Sequence, residues 1–190
     1  VRPLIEAGAL PKDIVLSCFS LTGYSGGGKK MIEEYESPER PNLFSAPRQY
    51  ALSQKHKHLP EMTKIAGLTN EPIFCPIVAD FYSGMEVSVP LSARTVGIEK
   101  KEIVDIYKKY YDGTIVRYKE NPDENGFLSA AAMSGRDDME ISVLGNEERF
   151  VLVSRFDNLG KGASGSAIQN MNILLGIDET TGLITEEDKT

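Results

Sequence analysis

The sequence predicts an α+β domain: a largely antiparallel or mixed sheet with helices on one face. Three observations predict it. Apolar, β-branched runs of strand length recur along the chain, a hairpin turn joins two of them, and a few amphipathic helical patterns are interspersed. The chain has 190 residues, 41% of them hydrophobic and 26% charged, which suits one domain with a real core. A formal charge of −7 opposes broad binding to nucleic acid, and no apolar run is long enough to suggest a membrane span. Cys18 and Cys75 lie in apolar stretches without CxxC spacing or a secretory leader, predicting reduced core thiols in a cytoplasmic protein.

Each element has its own justification. VRPLIEAG reads as a helix end closing at Gly8, and IVLSCFSL as a buried strand. Glycines break that pattern before KKMIEEYE resumes as a helix. Residues 37–53 carry three prolines and no clear period, predicting an irregular connection. KHKHLPEMTKIAGL predicts an extended lead-in and a short helix, with Pro60 in its first turn and Gly67 near its end. IFCPIVADFY and GMEVSVPLSA read as strands on either side of Ser83 and Gly84. In IEKKEIVDIYKKYYDG, Ile98, Ile103, Ile106, Tyr107 and Tyr110 form one helical stripe, stopped by Gly113. TIVRYKE is a strand followed by an NPDENG turn. MEISVLGNEERFVLVSRFD is a hairpin about Gly145 and Asn146. Asp157 or Asn158 is placed to cap a helix running to Gly176, and the acidic tail beyond it reads as loose.

Three stretches could carry chemistry. GYSGGGKK falls one residue short of a nucleotide-binding loop: Gly23 through Lys29 fit, but Lys30 stands where a magnesium-binding hydroxyl belongs. Asp80 could pose as the matching carboxylate, although Pro76 suits a central parallel strand poorly. The plainer reading is a flexible turn whose glycines admit a ligand, with Lys29 and Lys30 favouring an anion. KHKHLPEM holds both histidines. In an extended segment His56 and His58 face one side, as a metal pair completed by Glu61 or Asp80, as an acid/base histidine oriented by a carboxylate, or as solvent-exposed side chains. In DNLGKGASGSAIQ, small residues allow close packing, and Asn158 beside free N–H groups could hold a carboxamide or a phosphate.

SLTGYSGGGKK, YALSQKHKHLPEM, PIFCPIVADFYSGM and FDNLGKGASGSAIQNMN, in that order, resemble the N-acetyl-gamma-glutamyl-phosphate reductase family of arginine biosynthesis over almost the whole chain. The resemblance implies a fold similar to the C-terminal domain of glyceraldehyde-phosphate and aspartate-semialdehyde dehydrogenases. It also implies NADP(H)-dependent reduction of a small acyl-phosphate substrate through a cysteine thioester, in a homo-oligomer, dimer or tetramer. GYSGGGKK then becomes a mobile loop beside the substrate rather than an ATP loop. His58 is implied as the acid/base. Tyr50, His56 and Glu61 would position the substrate or that histidine, and Ser25, Gly26 and Lys29 would line the substrate site. Arg48, Lys29 and Lys30 are candidates on charge for the substrate carboxylate. Asn158, with Gly162, matches the nicotinamide-binding position of related dehydrogenases. No metal is implied.

One departure shapes the expectation. The family's Gly-Cys-Tyr-Pro-Thr-Gly nucleophile stretch and the Gly-rich Rossmann fingerprint are missing, and Val1-Arg2-Pro3 matches the residues that follow the nucleophile. The chain is therefore expected to be the catalytic and dimerisation portion (1–156) plus a C-terminal helix and tail (157–190) that pack on the Rossmann domain, inactive by itself. Two other readings remain open: a non-enzymatic binding or assembly module of the same fold, and a metal-dependent hydrolase built on the histidine pair.

Overall fold

The computed structural model describes residues 1–186. The chain runs through α1 (Arg2–Glu6), β1 (Ser17–Gly23), α2 (Gly28–Glu36), β2 (Arg48–Gln49), α3 (Leu59–Ala66), β3 (Ile73–Ala79) and β4 (Met85–Ser92). It continues through α4 (Ala93–Val96), α5 (Lys100–Tyr110), β5 (Val116–Tyr118), β6 (Met139–Gly145), β7 (Arg149–Phe156) and α6 (Gly165–Leu175). The strands form one seven-stranded sheet in the order β2-β3-β1-β4-β7-β6-β5. β1 pairs parallel with β3, and β5 with β6, while the other neighbours are antiparallel. The expected mixed sheet is therefore present. Its strands β3 and β4 are not partners, because β1 lies between them. A parallel β1–β3 pair demands a long crossover, and residues 24–72, carrying α2 and α3, provide it.

Strand alternation puts Cys18, Phe74, Val89, Leu91, Val143 and Leu152 on one face of the sheet, where Leu4, Ile5, Leu59, Ile103 and Tyr107 from α1, α3 and α5 cover them. The stripe on α5 holds at Ile103 and Tyr107, but Tyr110 is 53% exposed and points its hydroxyl toward Glu6. Pro76 does sit inside β3. Its carbonyl accepts the Tyr50 N–H at 3.0 Å, so its backbone faces the two-residue edge strand, where a missing donor breaks no central ladder.

Other expectations need correction. The irregular connection of residues 37–53 contains a 3₁₀ turn (Asn42–Ser45) and β2. The last helix opens with a π turn at Gly160–Ser164 before α6 begins. Asn158 does not cap it, and Asp157 instead accepts the N–H groups of Leu159 and Gly135. The tail is packed as far as residue 186: Leu183 is buried, and the Ile184 carbonyl accepts the Asp137 N–H while its own N–H donates to Asp137 Oδ2. The rest of that tail lies outside the described residues.

Candidate active site

The glycine loop is fastened to the turn before β4. Gly23, Tyr24 and Ser25 donate their N–H groups to the carbonyls of Gly84, Phe81 and Tyr82 at 3.0, 2.9 and 3.0 Å. A Cβ on Gly23 would come within 2.4 Å of the Tyr82 carbonyl, so this approach requires glycine. Asn158 ties the same parts together. Its Oδ1 accepts the Gly84 N–H at 2.8 Å, and its Nδ2 donates to Ser25 Oγ at 3.0 Å. The nucleotide-loop reading fails on geometry: the Lys29 side chain is 90% exposed and lies 3.9 Å from Glu33, on the helix surface. Lys30 does the same with Glu34.

The histidines meet through a turn, where an extended segment was expected. Ala51 and Gln54 have φ of 53° and 54°, and the Gln54 amide brackets Phe74, donating to its carbonyl at 2.8 Å and accepting its N–H at 2.9 Å. That anchors residues 51–58 beside β3. The His58 N–H then donates to His56 Nδ1 at 3.2 Å, and the two rings stand 4.9 Å apart. With Nδ1 accepting, the neutral His56 ring carries its proton on Nε2. Burial, followed by the neighbouring His58 and Lys57, lowers the His56 pKa, so this ring is neutral at physiological pH.

These parts enclose a cavity of about 470 Å³. Gly26, Tyr50, His56, His58, Asn158 and Gly162 line it, and Ser25 stands behind Asn158. Lys29, Arg48 and Glu61 are not brought in. The Arg48 guanidinium lies 3.6 Å over the Phe44 ring and donates to the Tyr35 hydroxyl at 2.9 Å. Glu61 lines a second concavity of about 770 Å³ with Cys18, Met62 and Tyr107. Sequence reasoning missed Ser20, Thr22 and Lys57, which also line the first cavity. Period-two alternation along β1 toward the glycine loop could have found the first two. The third stood between the two histidines.

Neither thiol suits nucleophilic attack in this cavity. Burial, helped by Cys75 and only partly opposed by the N-terminal charge, pushes Cys18 up to about 11, and it faces the second concavity. Cys75 pairs with Phe19 on the opposite face of the sheet. The metal reading also loses its third ligand: Glu61 lies elsewhere, and Arg40 grips both oxygens of Asp80 at 2.7 Å. Among the described residues, no three His, Cys, Asp or Glu side chains gather as a metal site. No helix among them is long and apolar enough to cross a membrane.

Comparison with known proteins places these features in context. The chain is 38% identical to N-acetyl-gamma-glutamyl-phosphate reductase 2 of Nostoc sp. over 96% of its own length and 61% of the relative's. It is 39% identical to the N-acetyl-gamma-glutamyl-phosphate reductase of Brucella ovis over 93% of its length and 59% of the relative's. It thus spans about three-fifths of the curated relatives it matches. Its fold matches aspartate semialdehyde dehydrogenase II from Vibrio cholerae with a TM-score of 0.65 at 16% identity, covering 92% of this chain and 57% of that one. A probable aspartate-semialdehyde dehydrogenase from Pseudomonas aeruginosa matches with a TM-score of 0.65 at 16% identity, over 91% and 57% of the two chains. Residues 1–158, from α1 through the last sheet strand to Asn158, match the semialdehyde dehydrogenase dimerisation domain, and the chain belongs to that family.

Proposed function

We propose that this chain is the catalytic and dimerisation part of an N-acetyl-gamma-glutamyl-phosphate reductase. Such an enzyme reduces N-acetyl-glutamyl 5-phosphate with NADPH to N-acetyl-glutamate 5-semialdehyde and phosphate, a cytoplasmic step of arginine biosynthesis. The observation that carries this reading is the meeting of His56, His58 and Tyr50 with Asn158 in one cavity. The two reductase relatives support it. His58, whose side chain has no hydrogen-bond partner among the described residues, takes and returns the proton of the oxygen that develops charge during reduction. The Tyr50 hydroxyl and the neutral His56 ring orient the substrate beside it. The thioester-forming cysteine comes from outside this chain, in keeping with the burial of Cys18 and the remote face of Cys75.

NADPH, when bound, supplies the hydride. Asn158 fits its carboxamide: beyond the bonds to Gly84 and Ser25, the side chain keeps one Nδ2–H and one Oδ1 lone pair. Gly162 fits beside it, since a Cβ there would stand only 3.3 Å from the Phe156 ring. On α6, Met171, Leu174 and Leu175 are 52%, 86% and 66% exposed, an apolar side suited to docking on a nucleotide-binding domain.

The test is phosphate-dependent reduction of NADP+ with N-acetyl-glutamate semialdehyde by the full-length gene product, its His58→Asn variant and this chain alone. The reading expects activity in the first, a kcat lower by roughly 10²–10⁴ in the second, and none in the third. An inactive full-length protein overturns it.

A further inference from the structure

Charge alone nominated Lys29, Lys30 and Arg48 for the substrate carboxylate, and the structure commits all three elsewhere. Lys29 and Lys30 lie beside Glu33 and Glu34 on the surface of α2, and Arg48 is stacked on Phe44 and bonded to Tyr35. The cavity still has one cation in its lining, Lys57, whose ammonium has no ion pair or hydrogen bond among the described residues. The turn that joins the histidines also carries Lys57, and the Gln54–Phe74 bonds fix that turn to the sheet. A second polar group in the lining lacks a partner: Ser20 is 1% exposed, and its Oγ makes no hydrogen bond. Buried hydroxyls are ordinarily satisfied, so an orphan at this place marks a site built for a polar ligand.

We propose that Lys57 is the cation that holds the phosphate group of the ligand in this cavity. A lysine ammonium binds phosphate as a compact point charge with three donors. Placed between two histidines, it sets the leaving phosphate beside the imidazole that handles the proton. The inference rests on the reductase reading only for the source of that phosphate. The binding it predicts does not require turnover.

His56 and His58 are the only two histidines, so their ring resonances report on the cavity directly. The chain is titrated with inorganic phosphate and, separately, with N-acetylglutamate, at constant pH and with ionic strength held by sodium chloride. Phosphate is expected to shift both rings saturably. Lys57→Gln should weaken it at least tenfold, as loss of a charge-assisted hydrogen bond predicts, and Lys57→Arg should restore part of the loss. Lys29→Gln and Lys30→Gln should leave it unchanged. Four results overturn the proposal: no saturable shift in the wild type, equal affinity in Lys57→Gln, loss of binding in either α2 variant, or a dependence on Lys57 for N-acetylglutamate alone. Phosphate binding that needs Lys57 in a full-length protein without reductase activity would sink the reductase reading and keep this one.

Discussion

Asp138 shows how a single buried charge is held. Its side chain is fully buried, Arg117 donates to it at 2.6 Å, and Arg136 donates to it through Nε at 2.8 Å and NH2 at 2.5 Å. Burial alone would raise its pKa, but hydrogen bonds and charge from Arg136 and Arg117 outweigh that and hold the carboxyl below its ordinary range. A depressed folded-state pKa gives stability that is present above the unfolded value, near pH 4, and is lost as pH falls through the folded one. Asp138→Asn should therefore cost about 3–5 kcal/mol at pH 7, because it leaves two arginines facing a buried neutral amide. The gap to the wild type should narrow as pH falls below the unfolded value and the native carboxyl takes up its proton too. Urea unfolding at pH 7 and at acid pH reads both effects, and equal midpoints at pH 7 would show that the arginines find other partners. The wild type itself should be insensitive to this group between pH 5 and 7.

The elements differ in how plainly the sequence announced them. The α5 helix, the hairpin at Gly145 and the Gly67 stop of α3 were legible because periodicity and turn chemistry are local. The meeting of His56 and His58 in one place was also legible, although the route was not. Nothing local reports that Ala51 and Gln54 adopt positive φ, since that depends on Gln54 finding the Phe74 backbone 20 residues away. The fates of Arg48 and Glu61 were equally hidden, because the Tyr35–Phe44 stack and the packing of α3 are tertiary. The start of the last helix belongs with these. Gly160 lies so close to the 136–137 segment that a Cβ would stand 2.2 Å from the Arg136 carbonyl and 2.9 Å from Asp137 Oδ1. That contact with a neighbouring backbone, rather than any weak propensity, goes with the π turn. Gly160→Ala should overpack it by about 2 kcal/mol, lowering Tm by about 4–8 °C for a chain of this size. An unchanged Tm in calorimetry would mean that the turn relaxes freely and the glycine is dispensable.

Across the whole molecule, the two faces of the sheet are treated differently. The first is covered by α1, α3 and α5. On the second, residues 119–137 shelter one side, where Ser142 donates to the Lys119 carbonyl and Arg155 to that of Pro122. Among the described residues, the other side, built from β1 and β3, has no such cover. Phe19 and Ile73 are 43% and 50% exposed there, with Leu21, Cys75 and Ile77 in adjoining register. An apolar surface of contiguous strands on a dimerisation domain calls for a second copy. Phe19 on this face is the place to test the expected homo-oligomer. Phe19→Glu should convert a dimer into a monomer at micromolar concentration, since it buries an unpaired carboxylate against its own symmetry mate. Leu174→Glu on α6 should leave the dimer intact. Light scattering after size exclusion distinguishes the two, with circular dichroism confirming that each variant is folded. Because Phe19 lies on the face opposite His56 and His58, ring shifts on phosphate addition should survive in the monomer. Their loss would mean instead that the cavity is completed only when two copies pair.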